Sequence, residues 1–509
     1  MTRPRLNASV VDEMRKLVPQ PRAQEMAHLP ERVLQFGEGV FLRGFVDWMI
    51  DLMNRQSLFN GRVVVVQPLP RGTVDQLNEQ DGFYTLLLGG IRDAKIVKSR
   101  QVISSISRGI DPYRDYPGFL RCAENPDLRF IVSNTTEAGI VFSPTDRLAD
   151  SPPASFPGKL TALLHARFRE FNGGMHKGLV LLPCELIERN GDTLKKCVVQ
   201  TAESWGLGAE FLDWVENANC FTNTVVDRIV TGYPADEAAA IFQELGYEDA
   251  LLDAGELYHS WVIEGPEQLA DELPFHRAGL EVIWTRDVTP YRDRKVRILN
   301  GAHTMAAPVG FLAGKQTVQE LVDDPAISEF LRRGIGEEII PTLDLPRAEL
   351  ETFAAAVSDR FANPCIRHQL TSITPNSTSK FKVRALPSIL EYLARKSSLP
   401  RRLTFSLAGL IAFYRGTEIR DGALIGSREG GEYKILDDPA VLEVFSRAWS
   451  AFDSTLAGAE SLVTNVLSRQ VIWQRDLNVL PGLARAVAAD LCQISTRGPL
   501  QAMKETGRQ

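Results

Sequence analysis

The sequence predicts an α/β fold, with an N-terminal Rossmann-like doubly wound sheet followed by a C-terminal all-helical domain. Three observations carry that expectation. From residue 32 to about 285, short apolar runs alternate with helical periodicity, the pattern of a parallel sheet covered by helices. One run, Arg62-Val-Val-Val-Val66, is apolar on both faces, as strands buried between two layers are. After Pro290 the periodicity turns helical and no strand run of comparable strength follows.

Residues 1–26 read as an extension with a short helical pattern around Val10–Leu17. Arg32–Phe36 reads as a strand and runs into Gly37-Glu-Gly39-Val-Phe-Leu-Arg-Gly44 and then a helix over Phe45–Met53. Strand, glycine turn and helix are the setting of a dinucleotide site, where glycine backbone lets a pyrophosphate approach the helix amides. Leu42 stands where the third glycine of Gly-x-Gly-x-x-Gly belongs, so a purely structural turn is equally compatible.

After the valine strand the chain reads Gln67-Pro-Leu-Pro-Arg71, without the acid that usually holds the adenosine ribose. Arg71 could equally meet a 2'-phosphate, so NAD and NADP both stay open on local chemistry. Tyr84–Leu88 and Lys95–Ile103 read as an inserted hairpin, Phe119–Glu124 as a helix and Phe130–Ser133 as a strand. That strand ends in the polar turn Asn134–Gly139, on the edge where such sheets bind ligands. A helix over Gly158–Phe171, a strand over Gly178–Leu182 and a helix capped by Asp192 follow, then strands at Thr224–Val230 and Glu281–Trp284.

The later helices are expected at Val318–Leu331, Glu337–Leu343, Arg347–Phe361, Leu386–Ala394, Leu403–Arg415, Ala440–Phe452, Glu460–Leu467 and Leu480–Ile494, with a loop over Gly416–Gly431. Gly334-Ile-Gly336 lacks a preceding strand, and Gly310–Lys315 is one residue short of a P-loop, so neither is taken as a phosphate site.

The stretch Tyr291–Thr304 concentrates chemistry. It places Lys295, Asn300 and His303 within nine residues. On an α-helix, Lys295 and His303 differ by roughly 80° and about 12 Å of rise, and Asn300 lies roughly 60° beyond His303. All three share one broad face. A lysine base, an amide donor and a neutral imidazole suit proton traffic at an alcohol oxygen, while a surface helix with a polar stripe is the plainer alternative.

At 509 residues, 44% hydrophobic and 24% charged, the chain has room for two or three soluble domains. A net charge of -7 and a pI near 5.7 argue against a nucleic-acid partner held by phosphate neutralisation. The six cysteines form no Cys-x-x-Cys pair, so no zinc site is expected, and their scatter fits a reducing cytoplasm. Met1–Pro30 lacks the apolar core of a signal peptide, and no run reaches the ~18 apolar residues of a membrane span. Leu403–Tyr414 reads as a buried helix. A cytoplasmic protein without membrane or nucleic-acid partners is expected.

Together these segments resemble the polyol-specific long-chain dehydrogenases, the mannitol dehydrogenase family. Lys295-x-x-x-x-Asn300-x-x-His303 matches that family's catalytic signature, and Gly37-x-Gly39-x-Phe41-x-Arg43 its cofactor turn. Gln80-Asp81-Gly-x-Tyr84-Thr85, Thr135-Thr-Glu137-x-Gly139 and Val226-Asp-Arg228-Ile229 are further blocks in the same order, over roughly residues 30–500.

The resemblance implies metal-independent hydride transfer between NAD and a small-molecule substrate, with residues 27–287 as a dinucleotide-binding domain and residues 288–509 as a mostly helical substrate and catalytic domain. It implies Lys295 as general acid/base with Asn300 and His303 beside it. Phe36, Gly37, Gly39, Phe41, Arg43, Thr135 and Glu137 are implied at the cofactor. Asp81 is expected to hold a loop or the cofactor, and Asp227 and Arg228 to form a structural ion pair.

Family members that act on mannitol or fructuronate tend to carry Cys-Asp-Asn where this chain has Cys184-Glu185-Leu186, and an arginine where it has Ser372. Their substrate lysine matches Lys380. Those departures suit a small-molecule sugar acid, whose carboxylate would meet Lys380, or else Arg367 and His368. A neutral polyol substrate and a nucleotide-binding relative without catalysis are the alternatives. Arg294 and Arg297 would lower the Lys295 pKa and Asp293 would raise it.

Overall fold

In the computed structural model, residues 3–14, 26–92, 95–135 and 138–506 are described. The chain divides into two compact units. One comprises Met1–Gly90 with Ile96–Val288; the other comprises Thr289–Gln509 with the short segment Ile91–Lys95.

The first unit is built on strands β1 Glu31–Phe36, β2 Arg62–Val66, β3 Tyr84–Arg92, β4 Lys95–Ile103, β5 Ile106–Ile110, β6 Phe130–Ser133, β7 Val180–Pro183, β8 Cys220–Phe221, β9 Asn223–Asp227, β10 Asp253–Glu256, β11 Ser260–Glu264 and β12 Val282–Thr285. The main sheet runs β5-β2-β1-β6-β7-β8 and its pairings are all parallel. The valine run shows why. Val63 and Val65 enter the layer under the Trp48–Arg55 helix, while Val64 and Val66 enter the opposite layer with Leu160, Leu163 and Val198. Period-two alternation of an all-apolar strand can only be satisfied by helices on both faces.

From β1 the chain winds outward to β2 and β5, then returns to the other side at β6. The order reverses between β1 and β6, and the carboxyl ends of those two strands form the crevice where such sheets take ligands. Two smaller sheets flank this core, β10-β3-β4 and β12-β11-β9. The start of the chain is docked: Leu6 N donates to Glu248 O at 2.8 Å, and Leu6, Val10 and Val11 bury against Phe83, Val102 and Tyr247. The helix there is Ala8–Met14, and the remainder of the expected Val10–Leu17 pattern lies outside the described residues.

Local expectations differ in places. Asp192 does not cap the Asn190–Ser204 helix; the cap position is Arg189 in a left-handed conformation, and Asp192 pairs with it from the first turn. In the second unit, Val318–Leu331 breaks at Asp324, whose side chain caps a new helix over Pro325–Arg333. Glu337–Leu343 is not α-helical: a π-helix over Gly334–Ile339 passes into a 3₁₀ turn at Ile340–Thr342.

The expected loop at Gly416–Gly431 is an antiparallel meander of β13 Gly416–Arg420, β14 Ala423–Arg428 and β15 Gly431–Ile435. Its outer strands, β13 and β15, are largely exposed and carry Glu418, Arg420, Glu432 and Lys434, so no apolar alternation marks them. Otherwise the second unit is helical. Its central helix, Gly301–Leu312, is buried over nearly its whole length. Close approach at glycines allows that: Gly409 lies against Val309, and Gly334 against Met305.

Candidate active site

The first unit contributes a turn that displays backbone. Gly37 has φ +123°, and a Cβ there would stand 3.0 Å from Asn134 O at the end of β6. The strand ends are tied across this point, with Gly37 N donating to Val66 O and Asn134 N to Phe36 O. At Gly39, the helix N-cap, a Cβ would meet nothing within 4 Å, so open space lies over the turn.

The helix that follows is deformed. After Val40–Leu42 it widens into a π-helix over Arg43–Asp47 before resuming at Trp48. Two carbonyls of that segment take side-chain donors: Tyr84 Oη donates to Arg43 O, and Arg228 Nη1 to Gly44 O, both at 2.7 Å. Arg228 also donates to Glu256 O and lies 4.0 Å over the Trp48 ring. It thus braces the turn through main-chain carbonyls.

Beneath the turn sit buried carboxyls. Burial pushes the Asp47 pKa up to about 7 against the opposing pull of Gln35 and Arg43. Asp253 is also raised to about 7 by burial, against Arg43 and Arg228.

The candidate cofactor residues divide. Gly37 and Gly39 form the open turn. Phe36 is fully buried between Phe119 and Phe156, so only its backbone faces the turn, and Phe41 stacks on Phe45 at 5.1 Å. Arg43 donates to Glu38 O at 2.6 Å and packs on Tyr84 at 5.6 Å, so it stiffens the loop. Thr135 is held by Glu185, which accepts from its amide at 2.9 Å and its hydroxyl at 3.0 Å; Ser133 donates to the same carboxylate. Glu185 was not among the expected site residues; an acid two positions after a buried strand was its signal. Glu137 lies outside the described residues. Asp81 accepts from Ala8 N at 3.1 Å, so it anchors the docked N-terminal helix.

The second unit holds a separate cluster of candidate side chains. Lys295 through Asn300 form a second π-helix, between Thr289–Arg294 and Gly301–Leu312. The α-helical angles expected for Lys295, Asn300 and His303 therefore do not apply across it, because each turn holds an extra residue. Lys295 and Asn300 bound the widened segment and are half-buried; His303 lies one turn on and is buried.

His303 stacks on Phe361 at 4.3 Å and meets His368 edge-on at 5.1 Å. Burial, with the positive charges of Arg360, Arg384 and Lys380 around it, holds its pKa well below the usual imidazole value, and burial lowers that of His368 as well. It is neutral at physiological pH, and its Nε2 is buried without a hydrogen-bond partner among the described residues.

Of the expected carboxylate binders, Lys380 and His368 reach this neighbourhood. Lys380 Nζ donates to Ile373 O at 2.7 Å. Arg367 is exposed, and with the Gln369 amide oriented to fit its neighbours its Nε is 3.1 Å from that side-chain oxygen. Arg360 and Arg384 were missed, although the i,i+4 spacing of Lys380 and Arg384 already placed them on one helix face. The charges expected to tune Lys295 are engaged elsewhere: Arg294 with Glu349, and Arg297 with Asp293 and Thr342 O. The cluster as a whole is a neutral imidazole in a cationic surround, which favours an anionic guest.

Comparison with known proteins agrees with both halves. Residues 31–277 match the profile of the Mannitol dehydrogenase Rossmann domain, and residues 287–495 that of the Mannitol dehydrogenase C-terminal domain. An altronate oxidoreductase of Escherichia coli O6:K15:H31 (strain 536 / UPEC) is 46% identical over 479 residues, covering 94% of this chain and 97% of that one. Another, from Escherichia coli O139:H28 (strain E24377A / ETEC), is 47% identical over the same shares.

Among solved structures, Pseudomonas fluorescens mannitol 2-dehydrogenase, in a ternary complex with NAD and D-mannitol, superposes with a TM-score of 0.73. It is 23% identical and covers 99% of this chain and 100% of its own. A D-sorbitol dehydrogenase in substrate-free form gives 0.76 at 21% identity, covering 94% and 96%.

Proposed function

The chain belongs to the mannitol dehydrogenase family, and on that premise we propose that it is an NAD-dependent oxidoreductase interconverting D-tagaturonate and D-altronate. The observation that carries this reading is identity of 46–47% with altronate oxidoreductases over nearly the full length of both chains. The cationic surround of His303 supports an acidic sugar over a neutral polyol. The domain division proposed is a dinucleotide-binding domain to about residue 287 and a substrate and catalytic domain after it.

Open space over Gly39, the φ of Gly37 and the polar turn at Thr135 fit a dinucleotide. Gly37, Gly39 and the amides beginning at Val40 would hold the pyrophosphate, with Thr135 facing the same crevice. When bound, NAD supplies the hydride acceptor, and in its reduced form the donor.

The chain's own residues handle what that transfer leaves, a proton and a developing negative charge on the substrate oxygen. Asn300 donates a hydrogen bond to that oxygen as charge grows on it. Lys295 delivers the proton in the reductive direction and removes it in the oxidative one. His303, being neutral, is not the proton source; its Nε2 binds a substrate hydroxyl and keeps the sugar oriented. Lys380 meets the carboxylate, with Arg360 and Arg384 adding to the local positive potential.

A substrate panel of altronate, mannonate and mannitol, each with NAD and with NADP, tests the reading. Altronate with NAD should give the highest kcat/KM. Preference for mannitol would make the enzyme a mannitol 2-dehydrogenase, preference for mannonate a fructuronate reductase, and no turnover with any sugar a nucleotide-binding relative. The expected setting is cytoplasmic; among the described residues no helix is long and apolar enough to cross a membrane.

A further inference from the structure

The loop after β2 holds a carboxylate that its own sequence does not supply. In doubly wound sheets an acid at the end of the second strand takes the adenosine ribose hydroxyls and excludes a 2'-phosphate. Here Val66 is followed by Gln67-Pro-Leu-Pro-Arg-Gly-Thr73. Gln67 is turned inward, 3% exposed, with its amide donating to Leu69 O at 3.0 Å. Leu69 is exposed and apolar, and Arg71 is exposed.

The acid comes from the glycine turn instead. Glu38, between Gly37 and Gly39, extends from the end of β1 to this loop. A Cβ on Gly72 would collide with Glu38 Oε1 and with Gln67 Oε1, so the carboxylate rests directly on the Gly72 backbone. The Thr73 amide donates to it, as does its own amide. The negative charge of Asp111, from the end of β5, acts on the same group, with Arg43 opposing it. The side chain is half-buried, so this charge is less screened than a surface one.

We propose that Glu38 is the residue that selects NAD over NADP, hydrogen-bonding the ribose hydroxyls and repelling a 2'-phosphate from the Gly72 loop. This rests on the NAD reading given above. It assigns to the x of Gly-x-Gly a task that the second strand end performs in other doubly wound sheets. It also leaves exposed Arg71 without a part in binding.

Direct binding of NADH and NADPH, followed by their fluorescence without any sugar, tests the assignment. The unmodified chain should bind NADH more tightly. Glu38→Gln should lower the NADH-to-NADPH affinity ratio by about tenfold or more, since one like charge facing the phosphate is gone. Gly72→Ala, which displaces the carboxylate, should move the ratio the same way, and Arg71→Ala should leave it unchanged. An unchanged ratio in Glu38→Gln, or a ratio that moves only in Arg71→Ala, overturns the proposal.

A measurement on the unmodified chain does not depend on any variant folding. Adenosine 2',5'-bisphosphate should displace NADH more weakly than 5'-AMP, by a gap that added salt narrows; a gap indifferent to salt also overturns it. A chain that binds neither NADH nor NADPH overturns the cofactor reading itself, a result distinct from the failure of Glu38.

Discussion

The two units each interrupt a helix with a π-turn at the place where function is expected, and they use it differently. At Arg43–Asp47 the widened turn offers carbonyls, and Tyr84 and Arg228 fix two of them from below. Its buried side chains face inward, so what the turn presents outward is backbone. At Lys295–Asn300 the turn is bounded by the two side chains proposed to carry the chemistry. There the neighbouring charges are tied off in pairs, Arg294 with Glu349 and Arg297 with Asp293. The same backbone deformation is braced through its carbonyls in one unit and flanked by the candidate catalytic side chains in the other. It follows that damage to the first should appear in cofactor affinity and stability, and damage to the second in turnover.

The largest expected effect lies in the second unit. Lys295→Ala should lower kcat by roughly 10²–10⁴-fold, the usual worth of a positioned acid/base. Its NADH Kd should stay within about twofold, since nothing in the glycine turn is altered. Rapid-mixing kinetics paired with NADH fluorescence reads both numbers, and a variant that loses cofactor affinity instead would erase the contrast.

In the first unit, Asp47 should set a pH dependence of stability. Its pKa is about 7 in the folded chain against 3.8 for the free side chain. The folded state therefore holds a proton that the unfolded state has released. The stabilisation is complete below about pH 4 and is lost as pH rises through about 7, by about 4 kcal/mol in all. Asp253, raised in the same sense, adds to the slope. Urea midpoints from pH 4 to 8 should fall with pH, and Asp47→Asn should flatten that fall.

Arg228→Met should cost about 2–3 kcal/mol by leaving the Gly44 and Glu256 carbonyls without their donor. NADH affinity should drop with stability while kcat at saturating cofactor changes little. A variant with wild-type affinity would show that the bracing of the first π-turn is irrelevant to binding.

The smallest effect sharpens the division within the second unit. Lys380→Met should raise the KM for altronate by about tenfold, the worth of a charged hydrogen bond, and leave NADH binding alone. Arg367→Met should leave both nearly unchanged, because that side chain is exposed. Equal effects of the two would remove Lys380 from the carboxylate site.

What was legible in the sequence was what depends on local pattern. Four valines between Gly61 and Pro68 announced a doubly buried strand, and the order of glycine turn, Asn134–Gly139 turn and Lys295/Asn300/His303 announced the family. What was hidden depends on partners far along the chain. A π-turn needs carbonyl acceptors met by residues such as Tyr84 and Arg228, which lie 41 and 184 positions from their partners. The β13–β15 meander pairs a short, partly buried central strand with two polar outer ones, which leave no hydrophobic period to read. Glu38 looked like a turn residue because its reach to Gly72 crosses from β1 to β2. Arg360 and Arg384 act on His303 through tertiary packing, which the sequence alone does not display.

Rescue of Lys295→Ala by small primary amines separates a proton-moving amine at that position from a merely structural lysine. If an amine at that position moves the proton, added methylammonium and ethylammonium should restore NADH oxidation in the presence of tagaturonate, in proportion to amine concentration and without changing NADH affinity. Turnover that is already normal without amine, or that no amine restores in a folded, NADH-binding variant, would contradict the proton-moving role.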